Sequence, residues 1–197
     1  MAASQGRRGE ILSRAAALFA RKGVASTTVR EIADEVGILS GSLYHHFESK
    51  EAMVDEIISS YVDDLRTRYK AVLAGNGDAR SRLRDLVRAS LETAAAHPHA
   101  TEIYQNDANY LSGLPRFSYL KNVSREVQTA WLSVIDEGVA DGTFRSDIET
   151  KIVYRLMRDA TWLSVRWFKP TAKYPLDQLI DDYSSVFVDG LAPRGRR

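Results

Sequence analysis

The segment Thr28–Phe47 reads TVREIADEVGILSGSLYHHF. Thr28 and Glu31 have the spacing of a capping box, in which hydroxyl and carboxylate each satisfy a free backbone N–H. Behind that cap Val29, Ile32, Ala33 and Val36 form an apolar stripe of barely two turns. Gly37 stops it, because a tight helix-to-helix turn needs a residue that takes positive φ. A third short helix begins near Ser40, turns Leu43 inward and reaches Phe47. Two short helices joined in this way match a DNA-binding helix-turn-helix, whose second helix lies in the major groove while the first braces it. Ser40, Gly41, Ser42, Tyr44 and His45 are small or hydrogen-bonding and suit the outer face; Leu43 and Phe47 suit the anchor.

Outward from this segment, helical periodicity continues almost everywhere, and no stretch sustains period-two alternation. Ile11, Ala15, Leu18 and Phe19 share one face of a first helix that Gly23 ends. Ser49 caps a long fourth helix running toward Leu73, with Glu51 in its first turn. Gly75-Asn76-Gly77 breaks it, and the next helix runs from Asp78 to about His97. Pro98, Pro115 and Pro175 read as first-turn prolines of further helices. Gly138 and Gly142 end the helix carrying Val123, Val127, Trp131 and Val134. Ser146 and Glu149 form a second capping-box pair ahead of an apolar helix, Asp147 to Phe168, and Leu176 to Leu191 makes the last. The expectation is an all-α fold of about nine helices: a DNA-binding domain over 1–50, a larger helical domain over 51–192, and a disordered tail over 193–197.

The bulk properties narrow the function. With 197 residues, 44% of them hydrophobic, the chain is able to bury a substantial core. No apolar run approaches the roughly 18 residues of a membrane span, and no apolar segment follows Arg7 and Arg8, so a cytoplasmic protein is expected. The absence of cysteine excludes disulfides and thiol nucleophiles. Net charge is only +1, yet Arg7, Arg8, Arg14, Arg21 and Lys22 crowd the stretch before Thr28 with Glu10 as the one acid. That bias suits phosphate contact; a solvated helix face explains it equally well. His45 and His46 point about 100° apart on a helix and cannot share an ion, and His97 and His99 flank Pro98, so no metal site is expected. No nucleophile–base pair or phosphate loop stands at a meaningful spacing, which argues against an enzyme.

The pattern Thr28-x-Arg30-x-Ile32-Ala33-x-x-x-Gly37-Ile38, then Gly41-x-Leu43-Tyr44-His45-His46-Phe47-x-Ser49-Lys50, resembles the signature of TetR-type repressors. The helix layout and chain length fit that family throughout. The resemblance implies a homodimeric repressor joined through its last two helices, binding a palindromic operator and released from it by a small-molecule effector. It implies phosphate contacts from Thr28, Tyr44 and Lys50, base contacts from the outer face of 40–45, and Arg30 within the DNA-contacting set. Leu39 departs from the common pattern, which has a serine there, and leaves the base contacts near 39–42 open. Residues 37–47 together with MVDE at 53–56, PRFSY at 115–119 and RDATWLSVRW at 158–167 resemble the actinobacterial ketosteroid-regulator branch of the family, and Leu39 fits that branch. That resemblance implies control of cholesterol-ring catabolism genes and a coenzyme A thioester as effector, with no resident cofactor.

The helix from Asp147 to Phe168 carries the effector expectation. At about 100° per residue, Ile152, Leu156, Ala160, Leu163 and Trp167 share an apolar face, widened by Val153, Met157 and Phe168. Arg155, Arg158, Asp159, Trp162 and Arg166 form a stripe opposite. It reads either as a solvent face or, because Trp162 lies between arginines at i−4 and i+4, as a surface that stacks a flat ring and pairs with an anion. Arg158 and Trp162 are the leading ligand-binding candidates, followed by Arg166, Trp131, Tyr104 and Asp107. A repressor of an efflux gene relieved by lipophilic drugs, and a helical binding protein or enzyme without a DNA role, are the competing readings.

Overall fold

The computed structural model describes residues 2–193, so the expected tail lies, apart from Pro193, outside the described residues. Ten α-helices follow one another, with no strand among the described residues: α1 Ala2–Lys22, α2 Val29–Val36, α3 Ser40–Leu43, α4 Lys50–Ala74, α5 Ala79–Ala96, α6 Pro98–Asn106, α7 Ala108–Ser112, α8 Leu120–Ala140, α9 Thr150–Leu163 and α10 Leu176–Ser184. No helix is long and apolar enough to cross a membrane, and no cluster of metal-ligating side chains occurs among the described residues.

The chain forms two compact units. One holds the residues up to Val62 together with His97–Lys121; the other holds Asp63–Ala96 together with the residues from Asn122 onward. The expected division at residue 50 is not where the packing divides. In the first unit α1 packs on α2 and, more extensively, on α6, so the head needs a segment about eighty positions away. Ile11, Ala15, Leu18 and Phe19 are buried as their spacing predicts. Gly23 ends α1 at φ 83°, its N–H donating to Phe19 O at 2.8 Å.

In the second unit α5 packs on α9 and α10. Gly138 does not end α8, which continues to Ala140. Its lack of a side chain has another reason: a Cβ there would lie 2.1 Å from the Phe144 ring and 3.0 Å from Ala79 Cβ. Gly142, at φ 81°, makes the turn instead. The expected second capping box does not form. α9 starts at Thr150 with no side-chain bond at its cap, and Arg145 holds the approach by gripping both carboxylate oxygens of Asp147 at 2.5 Å. α9 gives way to a 3-10 turn at Ser164–Arg166, and α10 widens into a π-helical turn at Ser185–Asp189. Pro115 opens only a 3-10 turn, Pro115–Phe117.

Candidate nucleic-acid interface and effector site

The helix-turn-helix is built by local chemistry. The Thr28 hydroxyl accepts from the Glu31 N–H at 3.2 Å, and the Glu31 carboxylate accepts from the Thr28 N–H at 2.9 Å. Lys22 pairs with that carboxylate, and with the bonds from Thr28 it pulls the Glu31 pKa down to about 2. Gly37 takes φ 71° and ψ 40°, and the Ile38 N–H returns to Ala33 O at 3.0 Å. Ile32, Ala33, Val36, Leu43 and Phe47 are buried beneath the pair. α3 begins at Ser40, as the spacing predicts, with Leu39 at the cap position and no side chain to cap with. The helix is shorter than expected, and a turn covers residues 44–46.

The outer face is open. Arg30, Gly41, Tyr44 and His45 are exposed, and Ser40 and Ser42 are partly so. Two expected phosphate contacts are otherwise engaged. The Thr28 hydroxyl donates to Glu31 at 3.0 Å, so its proton closes the capping box. The Lys50 ammonium donates to Val24 O at 2.7 Å and Thr27 O at 2.9 Å, fixing the α1–α2 turn rather than reaching outward. The basic residues before Thr28 likewise serve the head itself. Arg7 donates to Val36 O at 3.1 Å and Arg14 to Glu35 O at 3.2 Å, Arg21 pairs with Glu35, and Arg8 pairs with Glu56 while its guanidinium lies 4.4 Å from the Phe47 ring centre. Such bonds between α1, α2 and α4 form a scaffold, which neither phosphate contact nor a merely solvated helix face had described.

Asp107, one of the expected ligand contacts, sits where α6 passes into α7 and serves a structural bond. Only 8% exposed, it accepts the Val24 N–H through Oδ1 at 3.1 Å, while its Oδ2 has no hydrogen-bond partner. Burial pushes its pKa up, against the lowering pull of the Val24 bond and of Lys50. Sequence spacing offered no sign of this bond, because its partners lie far apart in the chain. Tyr104, in the same unit, packs against Tyr61 with ring centres 5.8 Å apart.

In the second unit Trp131, one of the expected ligand contacts, is buried, 1% exposed. Its indole N–H donates to Tyr69 Oη at 2.8 Å, and Tyr69 Oη lies 2.7 Å from Ser90 Oγ. Because Ser90 donates its own proton to Leu86 O at 2.7 Å, the hydrogen between the two hydroxyls belongs to Tyr69. Burial raises the Tyr69 pKa to about 12, against the lowering effect of these bonds. Tyr154 packs on the far side of Trp131 at 6.4 Å.

α9 has two apolar faces. Val153, Tyr154 and Met157 are buried, whereas Ile152, Leu156 and Leu163, with Trp167 beyond the end of the helix, stand exposed, Leu156 at 63%. Between these faces Arg158 is half-buried, its guanidinium 5.5 Å from the Tyr154 ring centre and 6.0 Å from Trp162. It donates to Asp159 at 2.6 and 2.8 Å. Trp162 is half-buried and Arg166 exposed.

A cleft of about 370 Å³ between α4 and α8 escaped the sequence reading. Tyr69, Leu73, Val127 and Ala130 give it dry walls, and Arg66, Lys70 and Arg125 stand at its edge. Arg66 is held by Glu126 at 2.7 and 2.9 Å. Arg66 with Lys70 and Tyr69 with Leu73 are i, i+4 pairs, so the sequence shows the α4 wall of the cleft but not its pairing with α8.

Comparison with known proteins agrees with this arrangement. A model of bacterial regulatory proteins of the tetR family matches residues 11–57, and one of the tetracyclin repressor-like C-terminal domain matches residues 76–191. The chain is 46% identical over 187 residues to the HTH-type transcriptional repressor KstR2 of Rhodococcus jostii, covering 95% of this chain and 92% of that one. It is 42% identical over 189 residues to KstR2 of Mycobacterium tuberculosis, covering 96% and 94%. The solved structure of that ketosteroid transcriptional regulator superposes with a TM-score of 0.89, covering 95% of this chain and 96% of that chain.

Proposed function

The chain belongs to the TetR family of bacterial regulatory proteins, and from that premise we propose that it is a homodimeric repressor of steroid-catabolism genes whose operator complex is undone by an acyl-coenzyme A thioester. That it is a DNA-binding transcriptional repressor and not an enzyme follows from its family and relatives. The steroid assignment draws on the name of the ketosteroid regulator it resembles over nearly its whole length.

One observation carries the effector reading: Arg158, paired with Asp159, is held beside the rings of Tyr154 and Trp162 on α9. A half-buried guanidinium flanked by aromatic faces receives a phosphate or carboxylate while the rings stack a flat group, and an acyl-CoA offers both. Arg166, exposed in the 3-10 turn that follows α9, is a further candidate contact. The dimer reading draws on Ile152, Leu156, Leu163 and Trp167, a row of exposed apolar side chains that a second copy of this helix would cover. The operator is then a palindrome with half-sites about one helical turn, or a multiple of it, apart.

The test is a gel-shift titration on the chain's own upstream region. A steroid-ring acyl-CoA should dissociate the complex where its free acid does not. Arg158→Met and Trp162→Leu should raise the concentration required by roughly tenfold or more, on the scale of one lost charge-assisted contact, with operator affinity nearly unchanged. Loss of operator binding in both variants would instead give these residues a folding role, and equal release by acid and thioester would remove the coenzyme from the proposal.

A further inference from the structure

Two positions flanking Ser40 at the start of α3, Leu39 and Gly41, have no explanation within the protein. Leu39 is 80% exposed, more than any other large hydrophobic residue among the described residues, and as a cap residue it makes no side-chain hydrogen bond. Gly41 has an ordinary φ, and a Cβ built on it meets nothing within 4 Å. A leucine that covers nothing is a cost in water, and a glycine with neither positive φ nor crowding weakens its helix. Both lie at the start of the second helix of the helix-turn-helix, the helix that in this motif enters the major groove.

That groove has one apolar group to offer, the C5-methyl of thymine; its other features are hydrogen-bond donors and acceptors. Resting on the operator-binding reading above, we propose that Leu39 packs on a thymine methyl in each half-site, and that Gly41 lets the backbone come close enough for it to do so. Leu39 is thus a specificity-determining residue, reading a base by apolar contact where Ser40 and Ser42 read by hydrogen bonding. The occupant is the methyl group itself, so replacing thymine by deoxyuridine removes the contact and leaves base pairing in place.

The experiment starts from the tightest duplex that the full-length protein selects from a randomised library. Each symmetry-related pair of thymines is replaced in turn by deoxyuridine, and affinities are measured for the wild type, Leu39→Ala and Leu39→Met. At one thymine pair the wild type should weaken by about fourfold per half-site, the worth of one buried methyl. Leu39→Ala should be indifferent to that replacement while responding like the wild type elsewhere, and Leu39→Met, which keeps an apolar chain, should regain sensitivity. Equal deoxyuridine effects in wild type and Leu39→Ala at every thymine would overturn the assignment while leaving the repressor reading intact. Failure to select any duplex would overturn both. Because Leu39 is so exposed, all three proteins should melt together.

Discussion

The bond between Asp107 and the Val24 amide gives a sharp test of how the head is held. Asp107→Ala removes the acceptor and leaves a buried N–H without a partner, a loss of about 1–3 kcal/mol. Removing a carboxylate whose pKa is raised by burial offsets part of this, so the net loss should fall near 1–2 kcal/mol. For a chain of this size that is a fall in Tm of roughly 2–8 °C. Asp107→Asn keeps an oxygen facing Val24 and drops the charge, so at pH 7 it should melt at or slightly above the wild type. The pH dependence has a definite sign. A carboxyl whose folded pKa exceeds its unfolded value of about 3.9 stabilises the fold most when protonated. Its contribution is therefore greatest below that value and is lost as pH rises through the folded pKa. The gap between wild type and Asp107→Asn should accordingly narrow on acidification. Circular dichroism melts between pH 4 and 7, paired with operator titration at 25 °C, provide the readout; Asp107→Ala should also bind operator less tightly, because the turn leading into the Thr28 cap is loosened. If Asp107→Ala melts with the wild type, or Asp107→Asn falls as far as Asp107→Ala, the reasoning is refuted.

Three further outcomes are expected. Trp131→Phe withdraws the N–H that Tyr69 Oη accepts and leaves a gap beside it, costing about 2–4 kcal/mol in chemical denaturation; an unchanged midpoint would show the bond to be idle. Gly138→Ala drives a methyl into the Phe144 ring, so a loss of about 1–3 kcal/mol is expected, with partial rescue by Phe144→Leu as the check on mechanism. Leu156→Glu places a charge in the exposed apolar row of α9 and should move the protein from dimer to monomer in sedimentation at micromolar concentration, with its helix content unchanged. A dimer that persists would move the interface elsewhere.

What the sequence disclosed depended on how far apart the interacting residues stand. The Thr28–Glu31 box, the left-handed Gly37 and the Ser49 cap, whose Oγ accepts from the Ala52 N–H at 3.0 Å, all close within a few residues, and each was legible. Trp131 was not: a helical wheel shows that an indole faces inward, but not whether it meets a cavity or, as here, Tyr69. Asp107 failed in the same way, since its partner lies 83 positions away. Periodicity put Leu156 and Met157 within one broad apolar arc of α9; packing then buried Met157 and left Leu156 open. The cleft between α4 and α8 needed two distant helices brought together, and no local pattern encodes that.

The arginines of α1 have a consequence for the thermodynamics of operator binding. Each phosphate neutralised by a mobile cation releases condensed counterions and steepens the dependence of log K on log salt by about 0.9. Arg7, Arg8, Arg14, Arg21 and Lys22 already hold carboxylates and carbonyls of their own unit. Four carboxylates, Glu10, Glu31, Glu35 and Glu56, offset most of their charge before DNA arrives, so they add less to that slope than five free cations would. Operator recognition by this head is therefore less sensitive to ionic strength than the five cations before Thr28 suggest, and it depends correspondingly more on the shape and chemistry of the groove it enters.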